Sequence, residues 1–121
     1  MYKIDPRLQE PIYSQIIVNI KENIYYQKTA PGEKIPSVRE MARLLVTNPN
    51  TVVKAYKQLE RENIIEVIQG RGTFIKKEAL TNLKADKEEI EKVKKEIIDI
   101  VEKSKYKGIS KEQLIKWIDD D

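Results

Sequence analysis

One stretch of the sequence carries side chains that could recognise a polyanion. Four polar residues recur at spacings of three and four and therefore share one face of a helix: Asn50, Lys54, Lys57 and Arg61. Amide groups of this kind hydrogen-bond to base edges in the major groove of DNA, and the cations neutralise phosphates. A solvated helix face has a similar composition, so the interpretation depends on the elements that present this stripe.

The chain lacks the groups on which many enzymes and metal sites depend. Its 121 residues include no His and no Cys, which excludes imidazole bases, thiol nucleophiles, disulfides and zinc sites built from these residues. Carboxylates, lysines, tyrosines and hydroxyls remain, but none clusters at a spacing that indicates a catalytic site. We therefore predict no enzyme activity, no metal and no cofactor.

The charge is distributed unevenly along the chain. Residues 1–77 contain 13 Lys and Arg against 8 Asp and Glu, whereas residues 78–121 contain 10 against 12, and the net charge is +3. This asymmetry favours contact between a polyanion and the first part alone. No apolar run is long enough to span a membrane and no secretory leader is recognisable, so we expect a cytoplasmic protein with no membrane partner.

Three helices are predicted to present the polar stripe. Isoleucines at every fourth position indicate a first helix over residues 11–27. Ser37 and Glu40 have the spacing of a capping box that begins a short second helix over residues 38–45. Asn48 is favoured as an N-cap and Pro49 at the first helical position, so the third helix should follow after a tight turn. Two short helices joined in this way form a helix-turn-helix.

A β-hairpin is predicted directly after the third helix. Residues 64–68 and 73–75 are rich in β-branched side chains, and Gly70 and Gly72 supply the turn between them. A hairpin in this place makes a winged helix, with Arg71 at the wing tip placed to read the minor groove. The predicted fold class is mainly α with a small β-hairpin, and residues 1–77 form a winged helix-turn-helix domain.

Residues 78–121 are predicted to form a two-helix C-terminal dimerisation arm. A long helix is expected over residues 81–103 and a short one after Gly108. Their apolar positions define the predicted dimer contacts: Leu83, Ile90, Val93, Ile97, Ile100, Leu114, Trp117 and Ile118. Two such stripes need a partner surface, which is either a second subunit or the winged helix of the same chain. Paired half-sites on DNA favour the homodimer.

Four segments together resemble the DNA-binding domain of the GntR family of bacterial transcription regulators. They are residues 11–16 (PIYSQI), 31–40 (PGEKIPSVRE), 48–56 (NPNTVVKAY) and 70–74 (GRGTF). The Asn-Pro-Asn-Thr start of the third helix and the short tail are similar to the YtrA subfamily, and this resemblance implies that the tail is a dimerisation arm.

The resemblance also implies roles for single residues. Ser37 would meet the DNA backbone, Arg39 would read a base, and the glycine matching Gly70 would lie in the minor groove. With two lysines added from the helical stripe, the predicted DNA contacts are Ser37, Arg39, Asn48, Asn50, Thr51, Lys54, Lys57, Gly70, Arg71 and Thr73. The chain departs from the family pattern in the turn, where Val46 replaces a usual glycine and should be strained. Pro49 and Val53 stand where other branches carry arginines, so those base contacts do not transfer.

The sequence therefore predicts a homodimeric repressor that binds a double-stranded DNA operator with paired half-sites. Its recognition helix would enter the major groove and its wing the minor groove. A small-molecule effector is compatible with the chain but is not identified by it. Two alternatives stay open, namely a winged helix used for protein–protein contact or oligomerisation and a non-specific nucleic-acid binder.

Overall fold

The computed structural model describes all of residues 1–121, which form two compact units, Met1–Lys84 and Ala85–Asp121. The first unit contains, in chain order, α1 (Ile12–Tyr25), β1 (Lys34–Ile35), α2 (Val38–Leu45), α3 (Pro49–Arg61), β2 (Ile65–Ile68), β3 (Gly72–Ile75) and α4 (Ala79–Asn82). The second contains α5 (Lys87–Tyr106) and α6 (Lys111–Asp119). None of these helices combines the length and apolar character that crossing a bilayer requires.

One apolar core holds the first unit together. The isoleucines at every fourth position of α1 face inward, and the core is completed by α2, α3, the sheet and α4. Its fully buried apolar members are Ile16, Ile20, Ile24, Ile35, Met41, Ala42, Val52, Ala55, Tyr56, Leu59, Ile64, Ile65, Ile75 and Ala79. The winged helix-turn-helix fold predicted from the sequence is confirmed, with the bounds of α1 and α2 within two residues of those expected and α3 beginning at Pro49 as expected.

The start of α2 and the turn after it follow local rules. The amide of Glu40 donates to the Ser37 hydroxyl at 3.2 Å, and the Ser37 amide donates to the Glu40 carboxylate at 3.0 Å, which completes the capping box. Helix α2 ends at Val46, whose φ of 50° and ψ of 54° place it in the left-handed region. The strain expected for a β-branched residue in this turn is therefore present.

Hydrogen bonds fix the start and the buried face of α3. Asn48 caps it by accepting a hydrogen bond from the Asn50 amide at 2.8 Å, and Pro49 occupies its first turn. The buried Tyr56 hydroxyl donates to the Pro36 carbonyl at 2.6 Å. Burial raises the pKa of Tyr56, so its proton stays available for that bond. This bond ties α3 to the loop that leads into α2.

The wing is a three-stranded antiparallel sheet with strand order β1-β3-β2. The hairpin of β2 and β3 was predicted, and Ile68 pairs with Gly72 at its tip. Strand β1 was not predicted, because two residues are too short to show a periodicity. It pairs with β3, where Lys34 lies opposite Phe74, and Ile35 enters the core.

The segment before α1 is bound to that helix by a buried amide. The Gln15 side chain accepts a hydrogen bond from the Asp5 amide at 2.7 Å and donates to the Asp5 and Glu10 carbonyls, both at 2.9 Å. All the hydrogen bonds that this buried group needs are local, so it specifies the path of residues 5–10. Tyr2 and Ile4 then pack on the core.

The boundary expected after residue 77 lies after Lys84 in the structure. Ala79 is fully buried in the core of the first unit and Leu83 packs against that core. The helix expected over residues 81–103 begins only at Lys87, where Asp86 is its N-cap. Leu83 therefore lies outside the long helix and packs on the core of the first unit, which argues against its predicted place in the dimer contact.

The second unit has almost no core of its own. Only Ser104 is buried on α5 and no residue is buried on α6. Ser110 caps α6 by accepting from the Gln113 amide at 3.1 Å, but the Gln113 side chain returns no hydrogen bond to the Ser110 amide. Side chains along both helices leave large apolar surfaces exposed: Ile90, Val93, Ile97, Ile98, Ile100, Ile115, Trp117 and Ile118.

Replacing Val46 with glycine should raise the free energy of unfolding by about 1 kcal/mol, because the left-handed backbone costs a β-branched residue more than it costs glycine. Val46 is 91% exposed, so the change removes no packing. Urea unfolding at a fixed protein concentration measures the effect. Leu44→Gly is the matched control, since this exposed residue lies inside α2 and should lose about 1 kcal/mol. A loss of stability in Val46→Gly would contradict the strain.

Replacing Glu62 with glutamine should lower stability at neutral pH. The Glu62 carboxylate accepts hydrogen bonds from Lys21 at 2.7 Å and Gln58 at 2.9 Å. Burial alone would raise the pKa of Glu62, but these bonds and the Lys21 charge outweigh it and hold the pKa below its ordinary value. The stabilisation is therefore complete above the unfolded pKa of about 4.3 and is lost as pH falls through the lower folded pKa.

We expect Glu62→Gln to cost about 0.5–1 kcal/mol at pH 7, as for other pairs near the surface. The difference from the parent should shrink as pH falls below about 4. Glu60→Gln, an exposed position on the same helix, should change little at either pH. An equal difference at pH 7 and pH 3 would show that the carboxylate charge contributes nothing.

Candidate nucleic-acid interface

The exposed face of α3 is the centre of the candidate interface. The residues opposite its buried face are all exposed: Asn50, Lys54, Lys57 and Arg61. The side-chain amide of Asn50 takes part in none of the hydrogen bonds of the structure, and Lys57 forms no ion pair. Thr51 is half-buried beside them. The exposed face of α3 therefore offers a free amide at Asn50, in the first turn, and a free cation at Lys57, two turns further along.

Asn48 is less free than the sequence indicated. Its side-chain oxygen already accepts the Asn50 amide, which leaves one lone pair on that oxygen and both N–H groups for a base or a phosphate. A bidentate contact to an adenine needs both the acceptor and the donor of an amide. The side-chain amide of Asn50 is entirely free for such a contact, whereas Asn48 would have to share its oxygen between the Asn50 amide and the base.

The start of α2 offers a second group of contacts. The Ser37 oxygen accepts the Glu40 amide, which leaves the hydroxyl proton free to donate. Arg39 is exposed and forms no ion pair. The hydrogen bonds from Ser37 hold the pKa of Glu40 below its ordinary value, so this carboxylate is charged at neutral pH. An approaching phosphate would meet the positive helix terminus and Arg39, but also the Glu40 charge.

The wing tip combines an exposed cation with a turn that requires glycine. The amide of Arg71 donates to the Ile68 carbonyl at 2.9 Å, which closes a β-turn. Gly70 stands at the third position of this turn with a φ of 79°, a conformation that glycine tolerates best. The Arg71 side chain is exposed without an ion pair. Backbone and guanidinium are thus both accessible at the tip.

Thr73 must be removed from the predicted contacts. It lies on β3 with only 5% of its surface exposed, between Ile35 on one neighbouring strand and Val67 on the other. Alternate residues of a strand point to opposite faces. Thr73 shares its face with the buried Ile75, so its side chain points into the unit and cannot reach DNA.

Lys34 is an exposed cation beside the candidate interface that was not identified from the sequence. Its side chain covers Gly72, and a Cβ built on that glycine would lie 2.7 Å from the Lys34 Cε. Its charge also contributes to the low pKa of Glu40, after the bonds from Ser37. Lys34 therefore links the base of the wing to the start of α2. In the sequence Lys34 is only a lysine within the two residues that form β1, and a strand this short cannot be recognised from a sequence pattern.

Lys54 is held by an aromatic ring. Its ammonium group lies 3.8 Å from the centroid of the Tyr13 ring on α1, within the range of a cation–π interaction. Lys57, one turn further along the exposed face, has no such partner. The two lysines of the predicted stripe therefore differ in how firmly they are placed.

The charges separate between the two units. Met1–Lys84 contains 14 Lys and Arg against 9 Asp and Glu, and Ala85–Asp121 contains 9 against 11. The first unit thus carries +5 and the second −2. An anionic ligand is attracted to the unit that presents α3 and the wing.

Comparison with known proteins agrees with this geometry. Residues 12–75 match the family described as "Bacterial regulatory proteins, gntR family". The "HTH-type transcriptional repressor YtrA" of Bacillus subtilis is 46% identical over 118 residues, which cover 98% of this chain and 89% of that protein. The family consists of regulatory proteins and not of enzymes, in agreement with the sequence analysis.

Two solved structures extend the comparison. A crystal structure titled "Transcriptional Antiterminator from Listeria monocytogenes EGD-e" has a TM-score of 0.81 and 35% identity, and the match covers 99% of this chain and 88% of that one. AraR(DBD) in complex with operator ORX1 has a TM-score of 0.56 and 26% identity over 62% of this chain and 95% of that one. The protein described here therefore belongs to the GntR family of bacterial regulatory proteins and is a DNA-binding transcription regulator.

Proposed function

We propose that this regulator is a homodimeric repressor of the cytoplasm that binds an operator with two half-sites. Each subunit would insert the start of α3 into the major groove and the tip of the wing into the minor groove. The observation that carries the proposal is the exposed α3 face, where Asn50 and Lys57 are free of partners while the opposite face is buried. The name of the Bacillus subtilis relative supports repression as the direction of control.

Phosphate contacts would supply most of the affinity. Four exposed cations around the two helix starts and the wing are placed for this role: Arg39, Lys54, Lys57 and Arg71. If each subunit neutralises about four phosphates, the logarithm of the binding constant should fall with the logarithm of salt concentration with a slope of roughly −7 for the dimer. Lys34 at the base of the wing is a further candidate for such a contact.

Base recognition would depend on fewer groups. Arg39 can bind a guanine edge with two hydrogen bonds, and the free amide of Asn50 can bind an adenine edge in the same way. Each such pair contributes about 1–3 kcal/mol of discrimination against other bases. Ser37, Asn48 and Thr51 retain donors or acceptors suited to orienting the helix starts on the backbone.

The tail supports the homodimer. A groove of about 500 Å³ runs between α5 and α6 and is lined by Ile97, Ile100, Trp117 and other apolar side chains. Exposed apolar patches of this kind mark interaction surfaces, and two helices without a core gain stability by pairing with the same helices of a second copy. Two copies would place two α3 helices for two half-sites. The dimer contacts proposed are Ile90, Val93, Ile97, Ile100, Leu114, Trp117 and Ile118.

Selection of bound duplexes from a random pool, followed by binding measurements on variants, tests the DNA-binding role. The pool should yield an inverted repeat. On that site, Asn50→Ala should lose about 1–3 kcal/mol and relax the preference at one base pair of each half-site. Lys57→Ala should weaken binding to all duplexes alike and reduce the salt slope by about 1 per subunit.

Lys95→Ala on the second unit is the matched control and should leave affinity unchanged, since it removes an exposed lysine remote from α3 in the sequence. Equal affinity for selected and random duplexes would instead indicate a non-specific binder. Absence of binding at about 0.15 M salt, with Asn50→Ala and Arg39→Ala fully active in the cell, would indicate a protein–protein module.

A charge introduced into the apolar stripe of α5 should dissociate the dimer. Ile97 is 55% exposed in the single chain and would be buried between two copies, so Ile97→Asp would leave an unpaired carboxylate in the contact. Sedimentation velocity should give a dimer for the parent and a monomer for the variant. Lys95→Asp introduces the same side chain on the opposite face of α5 and should remain dimeric. A parent that sediments as a monomer at micromolar concentration contradicts the proposed assembly.

A further inference from the structure

We propose that Tyr13 is a positioning residue for DNA binding, because its ring holds the Lys54 ammonium in place on the exposed face of α3. This inference rests on the proposed function, in which Lys54 contacts the operator. It assigns a part in that contact to α1, a helix that none of the predicted DNA-binding residues occupies.

The geometry of the pair is that of a cation on an aromatic face. The Lys54 Nζ lies 3.8 Å from the Tyr13 centroid, and Lys54 is nevertheless exposed. A ring shields an ammonium from one side only, so its other N–H groups can still donate to a phosphate or a base. The interaction therefore fixes the position of the cation without occupying its hydrogen-bonding capacity.

Tyr13 is itself firmly placed. It packs against the core, three residues before the fully buried Ile16. A second cross-link joins Lys21 on α1 to Glu62, the C-cap of α3, by an ion pair at 2.7 Å, about two turns further along both segments. The two residues of each pair are separated by the same number of positions in the sequence. Both contacts therefore fit a single side-by-side alignment of α1 with α3. The ring is thus a rigid support for a flexible side chain.

A fixed lysine binds with a smaller entropic loss than a free one. A lysine side chain has many rotamers, and their freedom is lost when its ammonium is immobilised on DNA. Because the Tyr13 ring already restricts the Lys54 side chain in the free protein, part of its rotamer entropy has been lost on folding and is not lost again on binding. Lys57 on the same face has no aromatic partner, so the effect should be specific to Lys54.

A double-mutant cycle measured as DNA affinity on the selected duplex tests the inference. Tyr13→Leu removes the ring and should weaken binding about two- to fivefold per subunit. In the Lys54→Ala background the same change should have no further effect, whereas with Lys57→Ala the two effects should multiply. Tyr13→Phe, which keeps the ring, should rescue the affinity. Tyr25→Leu, at the exposed far end of α1, is the matched control and should bind as the parent does.

Each outcome separates this inference from the proposed function. If Tyr13→Leu weakens binding equally with and without Lys54, or does not weaken it, the positioning role is overturned while the operator contact stands. If Lys54→Ala alone leaves affinity unchanged, Lys54 makes no contact and the inference fails. If the parent binds no duplex, the proposed function fails with it.

A measurement on the parent protein covers the case in which Tyr13→Leu does not fold. The ε-methylene protons of Lys54 lie against the aromatic face and should show upfield ring-current shifts in the NMR spectrum, unlike those of Lys57. The upfield shift should persist when the duplex is added. Ordinary random-coil shifts for Lys54, or loss of the upfield shift on binding, would overturn the positioning role.

Discussion

The burial of one face of α3 is the constraint on which the rest of the interface depends. Val52, Ala55 and Leu59 are fully buried, and the buried Tyr56 is bonded to the Pro36 carbonyl. Because these positions cover one side of a helix, the residues opposite them must face outward. Rotating the helix by one residue would bury a lysine or an amide without a partner, at a cost of several kcal/mol. The core therefore fixes not only where α3 lies but which side chains it presents.

The two units differ in net charge and in how far their apolar side chains are buried. Met1–Lys84 has a closed core and an excess of positive charge, so its exposed surface suits an anionic ligand. Ala85–Asp121 has a slight negative charge and apolar stripes that no side chain of its own covers. The positive charge and the uncovered apolar surface thus lie on separate parts of the chain, so substitutions can alter DNA binding and the proposed self-association independently.

Local rules account for what the sequence could predict. Capping residues at Ser37 and Asn48, the spacing of the isoleucines in α1 and the glycines of the wing all act within a few residues of each other. The left-handed Val46 was expected from the resemblance alone, because it replaces a usual glycine of the family at this turn. These signals were sufficient for the fold and for the exposed stripe of α3.

The predictions failed where a residue's position depends on distant parts of the chain, or where a sequence pattern was continued beyond the element that produces it. Thr73 was assigned by its neighbourhood in the sequence, although strand alternation places it on the face of the buried Ile75. Leu83 fitted a heptad spacing that continued through the break before Lys87. Strand β1 depends on pairing with a distant strand, and the Tyr13–Lys54 contact joins residues on different helices. Neither leaves a periodic pattern.

Titration of the ¹⁵N-labelled protein with its selected duplex, followed by backbone amide shifts, would locate the DNA-binding surface on the chain. We expect the largest changes at the starts of α2 and α3 and at the wing tip, with Asn50 and Arg71 among the first to shift. Little change is expected along the buried face of α3. Changes confined to α5 and α6, with the amides of Asn50 and Lys57 unmoved at saturation, would contradict this expectation.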